Sequence, residues 1–460
     1  MKKKKSILAV SLISLVNCSD VLAYGNTQNS EVNMGMNSCN HLVNNIASCM
    51  QNNEVSLGMR HSEFAQKGIS AGAFYILPKL DFTNEYNSNV YKRDSSKYTP
   101  VDAYFAHFKP GVEARSDWSQ HALKLSFDTD LAQSTAQGTN NNYNDIFTSL
   151  TGRLDVVRDS YLETGFSYNK LHESRGSPDQ IAGITPTFFD TKIIDAFYTH
   201  KLNRLSLVTG VNAIRYDYQN VDSMDSNTPL LMSSRDRWQY APSVRLGYKI
   251  QQQYEAYIKF IYNQIDYDGQ VFSNGVAPSG NNGGSAYNRN STGYNALTGF
   301  AFDLTNLISG DVSVGYLQRN YVDPGLSNFG GVNGFFDLKW HPTQLTTVSG
   351  KVSRDIMQTT QAGVSGIIVT GVTVNVEHEL MRNIILNAGG TFMNNAYDGF
   401  VAPNVENRTD NIYAARVGAK YVVNQYLSTD LSYIYQNRDV NYEFNNYQVN
   451  QVMLNLRGQY

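Results

Sequence analysis

The sequence predicts an all-β fold: a transmembrane, up-and-down antiparallel β-barrel of about eighteen strands in a bacterial outer membrane. Three observations predict it. Apolar and polar residues alternate with period two in stretch after stretch. Short and long connections between the stretches alternate strictly. A leader for export stands at the front, yet no later run approaches the 18 apolar residues that a membrane helix needs.

The leader reads as a secretory signal peptide over residues 1–23. Lys2 to Lys5 form its positive region, and Ile7 to Val16 its apolar run, too short to span a bilayer as a helix. Val21-Leu22-Ala23 supplies the small residue before the cut, which leaves Tyr24 first in the mature chain. A lipoprotein alternative rests on Cys18, but Asn17 occupies the position where a small residue is wanted.

Residues 24–67 are polar, rich in Asn and without sustained alternation. They are expected to form a periplasmic segment or a plug in the lumen. Cys39 and Cys49 form an even pair for an oxidising compartment and suggest a disulfide. Leu42, Val43, Ile46 and Ala47 between them also have helical spacing. A straight helix would hold the two cysteines ~15 Å apart, beyond the ~7 Å limit of a bridge. The disulfide is the preferred reading, with the helix broken.

From residue 68 the texture is uniform to 460. Trp238, Tyr240, Pro242, Val244, Leu246, Tyr248 and Ile250 alternate with Gln239, Ala241, Ser243, Arg245, Gly247 and Lys249. Leu123, Leu125, Phe127, Thr129 and Leu131 do the same against Lys124, Ser126, Asp128 and Asp130. Only a strand segregates such residues onto two faces. Eighteen stretches are expected near 72–86, 101–114, 121–132, 144–157, 161–171, 189–199, 204–217, 237–250, 253–266, 290–304, 307–319, 330–340, 344–354, 364–378, 382–393, 410–422, 426–437 and 447–460, with sixteen as the other possible count. Tight links at 158–160, 201–203 and 251–252 alternate with polar ones at 172–188, 218–236, 267–289 and 394–409. Short periplasmic turns and long extracellular loops are expected of such a barrel. Strand ends repeatedly carry aromatics (Tyr104, Phe108, Tyr216, Trp238, Tyr262, Trp340, Tyr421), as interface girdles do. A soluble sandwich of this length would be unusual, and no blade-length repeat supports a propeller. In the last stretch Val452, Leu454, Leu456, Gly458 and Tyr460 share one parity and are read as the C-terminal insertion signal for the barrel-assembly machinery.

With the apolar parity facing lipid, the other parity lines the lumen. Its candidate lining residues are Arg153, Asp155, Arg245, Lys249, Glu255, Lys259, Asp337, Lys339, Arg416 and Lys420, accompanied by Lys124, Asp128, Asp130 and Asp430. Their signs are mixed, which argues against a ring selecting one sign of ion. Gly165, Gly299, Gly315 and Gly371 are expected to keep parts of the wall open. A barrel of this size defaults to a water-filled conduit unless plugged. The net charge of −3 shows no nucleic-acid footprint. No Gly-rich phosphate loop and no Cys/His cluster of metal-ligand spacing appears. No catalytic residue, cofactor or metal is therefore expected. His172, Glu173, Ser174 and Asp179 can be cast as a hydrolase set, but they fall in a long loop where mobile polar residues are expected.

Several segments resemble the putative β-barrel porin 2 family. They are Leu80-Asp81 through Glu85-Tyr86-Asn87-Ser88-Asn89-Val90-Tyr91, then Ser116-Asp117-Trp118, then Gly152-Arg153-Leu154-Asp155-Val156-Val157-Arg158-Asp159. Arg175-Gly176-Ser177-Pro178-Asp179 is the most distinctive, and Asn450-Gln451-Val452 to Tyr460 completes the series. The resemblance spans about 68–460 and leaves out the Cys39/Cys49 segment. It implies an outer-membrane barrel, often encoded beside exopolysaccharide genes, that passes or helps pass a secreted polysaccharide. Outer-membrane lipid, the polymer and periplasmic export components are its expected partners. The alternatives are a non-conducting barrel presenting its loops as adhesin or receptor, and an outer-membrane hydrolase.

Overall fold

The computed structural model describes residues 62–136, 141–179, 183–224, 229–278, 285–304, 307–399, 401–402, 405–442 and 446–460. The expected signal peptide and the Cys39/Cys49 pair lie outside the described residues, as does nearly all of 24–67.

Eighteen long strands form the wall: β1 (Phe74–Asn87), β2 (Ala103–Ser116), β3 (Ala122–Ser134), β4 (Tyr143–Val157), β5 (Ser160–His172), β6 (Phe188–Leu202), β7 (Leu205–Tyr218), β8 (Arg237–Gln251), β9 (Tyr254–Tyr267), β10 (Ser291–Leu304), β11 (Ile308–Tyr321), β12 (Phe329–Thr343), β13 (Thr346–Met357), β14 (Gly366–Met381), β15 (Ile384–Asp398), β16 (Thr409–Asn424), β17 (Leu427–Val440) and β18 (Tyr447–Gln459). Every neighbour pair is antiparallel, and β1 pairs with β18 from Lys79↔Gln459 to Asn87↔Gln451. The sheet therefore closes on itself and leaves no edge for another chain to extend. Each expected stretch matches one strand, with ends displaced by at most five residues. A short arm, Ile69–Ala71, turns at Gly72 and pairs with the first residues of β1, where β18 no longer reaches.

Connections of two to five residues alternate with connections of six to 23. In two of the two-residue turns, at 158–159 and 203–204, Asp159 and Asn203 adopt left-handed backbone, with φ of 63° and 53°. Asn and Asp tolerate that conformation better than most residues. Chain direction puts the start of β1 and the end of β18 at the short-turn end of the barrel.

The outer parity is apolar and exposed: Leu125, Phe127, Leu246, Ile258, Phe260, Val314, Leu431, Leu454 and Leu456 are among it. Aromatic pairs mark both rims of this band. Tyr86–Tyr104, Trp238–Tyr240 and Phe392–Tyr413 lie toward the long loops, and Phe74–Trp118, Tyr254–Phe300 and Tyr426–Tyr460 toward the short turns. An apolar belt between aromatic girdles is the surface that a bilayer demands of a barrel. No helix among the described residues is long and apolar enough to cross a membrane. Tyr216 departs from the expected girdle: it is buried on the inner parity under the Arg237 guanidinium, 4.3 Å from its ring.

Candidate functional site

The inner wall is a lattice of paired charges. Lys79 of β1 meets Asp128 of β3 at 3.0 Å, and Lys109 meets Asp130 at 2.9 Å. Lys124 meets Glu113 at 2.9 Å, and Arg457 grips Asp81 across the closing seam with bonds of 2.6 and 3.0 Å. The Lys79–Asp128 pair skips a strand. Gly111 of β2 sits between them in register, and a Cβ there would lie 2.0 Å from Asp128 Oδ1. Glycine thus suits the close approach, since a Cβ would make the Asp128 and Lys79 side chains shift. The expectation that Gly299 holds the wall open fails for the same reason: Tyr257 lies over it and donates its hydroxyl to Asp311 Oδ1 at 2.6 Å.

The candidate lining residues differ in how they are partnered. Arg245 and Glu255 pair at 2.6 Å, and the Arg245 guanidinium covers Tyr257. Arg153 bonds Asp155 at 2.9 Å and stacks on Tyr161, while Arg416 meets Asp430 at 3.5 Å. Lys259 is buried near Arg245 and Asp311. Asp337 lies in register between Asp311 and Lys351, Lys339 opposite Ser349, and Lys420 opposite Asp430. Lys249, opposite Glu255, stands next to Lys201 near the short turns. Pairing of this kind leaves the wall with little net sign to impose on a solute.

The long loops fold inward. In the β5–β6 connection, Glu173, Arg175, Ser177 and Asp179 are all buried, which overturns the expectation of mobile, solvated loop residues. Asp179 Oδ1 accepts from Thr359 Oγ1 at 2.6 Å and from the Thr360 amide at 3.0 Å. Those threonines belong to the β13–β14 connection, eight strands away on a ring of eighteen, so the contact crosses the mouth. Glu173 accepts from Arg235 Nη1 and Nη2 at 3.1 and 3.0 Å, tying in the β7–β8 connection. Burial opposes the Arg235 charge, but Glu173 and Tyr218 outweigh it and hold the guanidinium above its ordinary pKa. Gly176, with φ at 90°, accepts from Arg438 Nη1 through its carbonyl at 3.2 Å. Lys92 of the β1–β2 connection donates to Ser174 Oγ at 3.4 Å, and desolvation pushes its ammonium down to about 8 despite the pull of Glu85. Arg175 clasps the carbonyls of Gly183 and Ile184 at 2.6 and 3.0 Å. Arg175 also donates Nε to Asn141 Oδ1 of the β3–β4 connection at 3.3 Å, so residues 173–179 form a strap bonded to five other parts of the mouth. Apolar clusters join the inner parity to the loops: Phe189, Ile193 and Ile214 with Met232 of the β7–β8 connection in one, Ile367, Val369 and Ile412 with Val364 of the β13–β14 connection in another.

Under the strap, between it and β6–β11 and β13, lies a cavity of about 110 Å³. Its lining brings together Arg235, Arg237, Arg319, Asp355, Asn295 and Tyr267, none of which the sequence reading singled out. Arg237, Asn295 and Arg319 do share the inner parity, and that was the available signal. Arg235 and the loop residues carry no periodicity from which to infer a position.

The hydrolase set does not assemble. His172 Nδ1 faces Asp145 at 2.9 Å, Ser174 Oγ donates to the Arg175 carbonyl, and Glu173 and Asp179 are engaged as above. A Gly-x-Ser-x-Gly string does occur at Gly68–Gly72, but it forms the short arm paired with β1. It is not the strand-to-helix elbow that exposes a nucleophile. Among the described residues no group of His, Cys, Asp and Glu is arranged to hold a metal ion.

A closed eighteen-strand barrel with an apolar belt, two aromatic girdles and a charged inner wall is a porin-like protein of the bacterial outer membrane. Comparison with family models agrees: the model described as putative beta-barrel porin 2 matches residues 62–460, and the chain belongs to that family. Comparison with curated proteins gives no match. Among solved structures, the chain is similar to Pseudomonas aeruginosa OpdO at 11% identity, covering 87% of this chain and 99% of that one, with a TM-score of 0.42. It is also similar to P. aeruginosa OpdK crystallised with vanillate (10% identity, 84% and 99% covered, TM-score 0.43). The copper transporter OprC is a third (9% identity, 86% and 81% covered, TM-score 0.46).

Proposed function

We propose that this barrel passes, or helps pass, a secreted polysaccharide across the outer membrane. The carrying observation is the combination of a wide closed barrel with a polar inner wall whose charges are largely paired. Such a wall offers hydrogen bonds along its length without trapping a solute by net charge, which suits a long hydroxylated chain. Tyr, Asn, Gln and Arg crowd the cavity under the strap, and these groups stack on and bond to sugar rings. The family resemblance noted in the sequence points the same way. Outer-membrane lipid, the barrel-assembly machinery and periplasmic export components are the partners this reading calls for.

Deleting the gene is expected to abolish, or reduce severalfold, the extracellular polysaccharide of the producing cell, with restoration by the wild-type chain. Unchanged secretion in the deletion strain contradicts the export reading.

The bonds across the mouth favour one other reading, a non-conducting barrel whose loops act as adhesin or receptor. That reading predicts loss of attachment when the β9–β10 loop is trimmed, with secreted polysaccharide unaffected.

A further inference from the structure

We infer that the cavity under the strap is a binding site for the carboxylate end of a hydroxylated acid, as a sugar acid presents it. This deepens the export reading and rests on it only for the polymeric source of the ligand. Five buried polar atoms of residues that line this one space have no partner within the protein: Arg237 Nε, Arg319 Nη1, Asn295 Oδ1, Gln358 Oε1 and Thr360 Oγ1. Arg237, Asn295, Arg319 and Thr360 are 4%, 6%, 7% and 4% exposed, so bulk solvent does not serve them. A buried polar group without a partner is costly, and a cluster of them calls for a ligand.

Among the described residues around the cavity only Arg235 and Glu173 form an ion pair, which leaves two guanidinium groups, Arg237 and Arg319, and two carboxylates, Asp179 and Asp355, held by neutral partners. Arg235 is matched by Glu173, and Asp179 is held by Thr359 and Thr360. Arg237 donates Nη1 to the Arg235 carbonyl at 3.0 Å and lies against the Tyr216 and Tyr267 rings, without an ion pair among the described residues. Arg319 lies beside Tyr321 and feels Asp355, but the two form no ion pair. Asp355 Oδ1 accepts from the Ile356 amide. Guanidinium forks match a carboxylate in geometry as well as charge.

The donor and acceptor mixture narrows the class. An inorganic anion satisfies the two guanidinium groups and leaves the Asn295 and Gln358 oxygens unpaired. A carboxylate flanked by hydroxyls satisfies both sets, because each hydroxyl donates to an amide oxygen. At about 110 Å³ the space is far above the ~10–15 Å³ that admits a single water. Its Tyr218, Tyr267 and Phe189 side chains offer ring faces for the carbon skeleton.

Titration calorimetry on the detergent-folded, full-length protein tests this without requiring conduction. D-glucuronate is expected to bind, and glucose and methyl glucuronate ester to bind at least about tenfold more weakly, a loss of ~1.4 kcal/mol or more. Arg319→Gln and Asn295→Ala should each weaken glucuronate severalfold while the heat-modifiable mobility of the folded barrel is kept. The wild-type comparison of acid with ester stands even if a variant misfolds. Equal binding of acid, ester and glucose overturns the inference, as does competition by sulfate as strong as that of glucuronate. An oligoglucuronate arm separates the sources: tighter binding than the monomer assigns the site to a polymer, and weaker binding to a free sugar acid. Binding with normal secretion in the deletion strain leaves the site standing and removes the export reading, whereas absent binding with lost secretion does the reverse.

Discussion

Replacing residues 175–179 by a Gly-Ser linker is expected to raise the single-channel conductance of the barrel severalfold. Barrels of 16 to 18 strands leave an aqueous channel unless something fills it, and here the filling is supplied by the protein's own loops. Asp179 holds Thr359 and Thr360 from the far side of the mouth, and Gly176 accepts from Arg438. Arg175 keeps the same connection folded by binding the carbonyls of Gly183 and Ile184. The linker removes the Asp179 and Arg175 side-chain attachments together and leaves only backbone carbonyls for Arg438 to meet. It leaves β5 and β6 untouched, because their ladder runs only to His172 and Phe188. Planar-bilayer recording of wild type and variant reads the outcome. Equal conductance in the two shows that the strap does not govern passage.

The second large effect is on the lipid face. Leu454 sits midway along β18, 49% exposed and in register with Asn84 and Leu431. Arginine there places a charge in the apolar belt, at a cost of ~2–4 kcal/mol near the bilayer midplane. Leu454→Arg is expected to lower the urea midpoint of the barrel in phospholipid vesicles by a matching amount and to reduce the folded yield. The neighbouring Asn455 points the other way, accepting from Thr83 Oγ1 and donating to Asp81. Asn455→Lys should therefore cost much less. Equal losses at 454 and 455 contradict the assigned faces. Val452, Leu456 and Tyr460 share the exposed face of Leu454, while Gly458 pairs with Leu80 in register. Their reading as an insertion signal makes the same variant a probe of assembly: it should accumulate in the periplasm.

The wall was legible because each strand states its own two faces. The alternation in Trp238 to Ile250 needs no knowledge of any other segment, and the two-residue turns at Asp159 and Asn203 fix where strands reverse. The mouth was not legible in this way. Asp179 and Thr359 are separated by 180 residues, and neither sits in a periodic pattern that reports its partner. Ile193, Ile214, Val369 and Ile412 break the polar-inside rule because loops lie on them, and a rule that assumes water in the lumen cannot foresee that. Met232 and Val364, apolar residues within otherwise polar loops, were the sign that those loops pack inward. The glycines misled for a related reason. Gly299, expected to leave open space, lies under the Tyr257 side chain, so its smallness marked crowding, as that of Gly111 does beside Asp128.

The central claim is that one parity of every strand meets acyl chains while the other faces a polar interior. Nitroxide labels placed singly along β17, from Leu431 to Gln436, measure this in reconstituted vesicles. Collision with oxygen should peak at 431, 433 and 435 and fall at 432, 434 and 436, in step with the exposed Leu431 and Tyr433 and the buried Ser432, Ile434 and Gln436. A profile that is flat, or that repeats every three to four residues, contradicts the barrel.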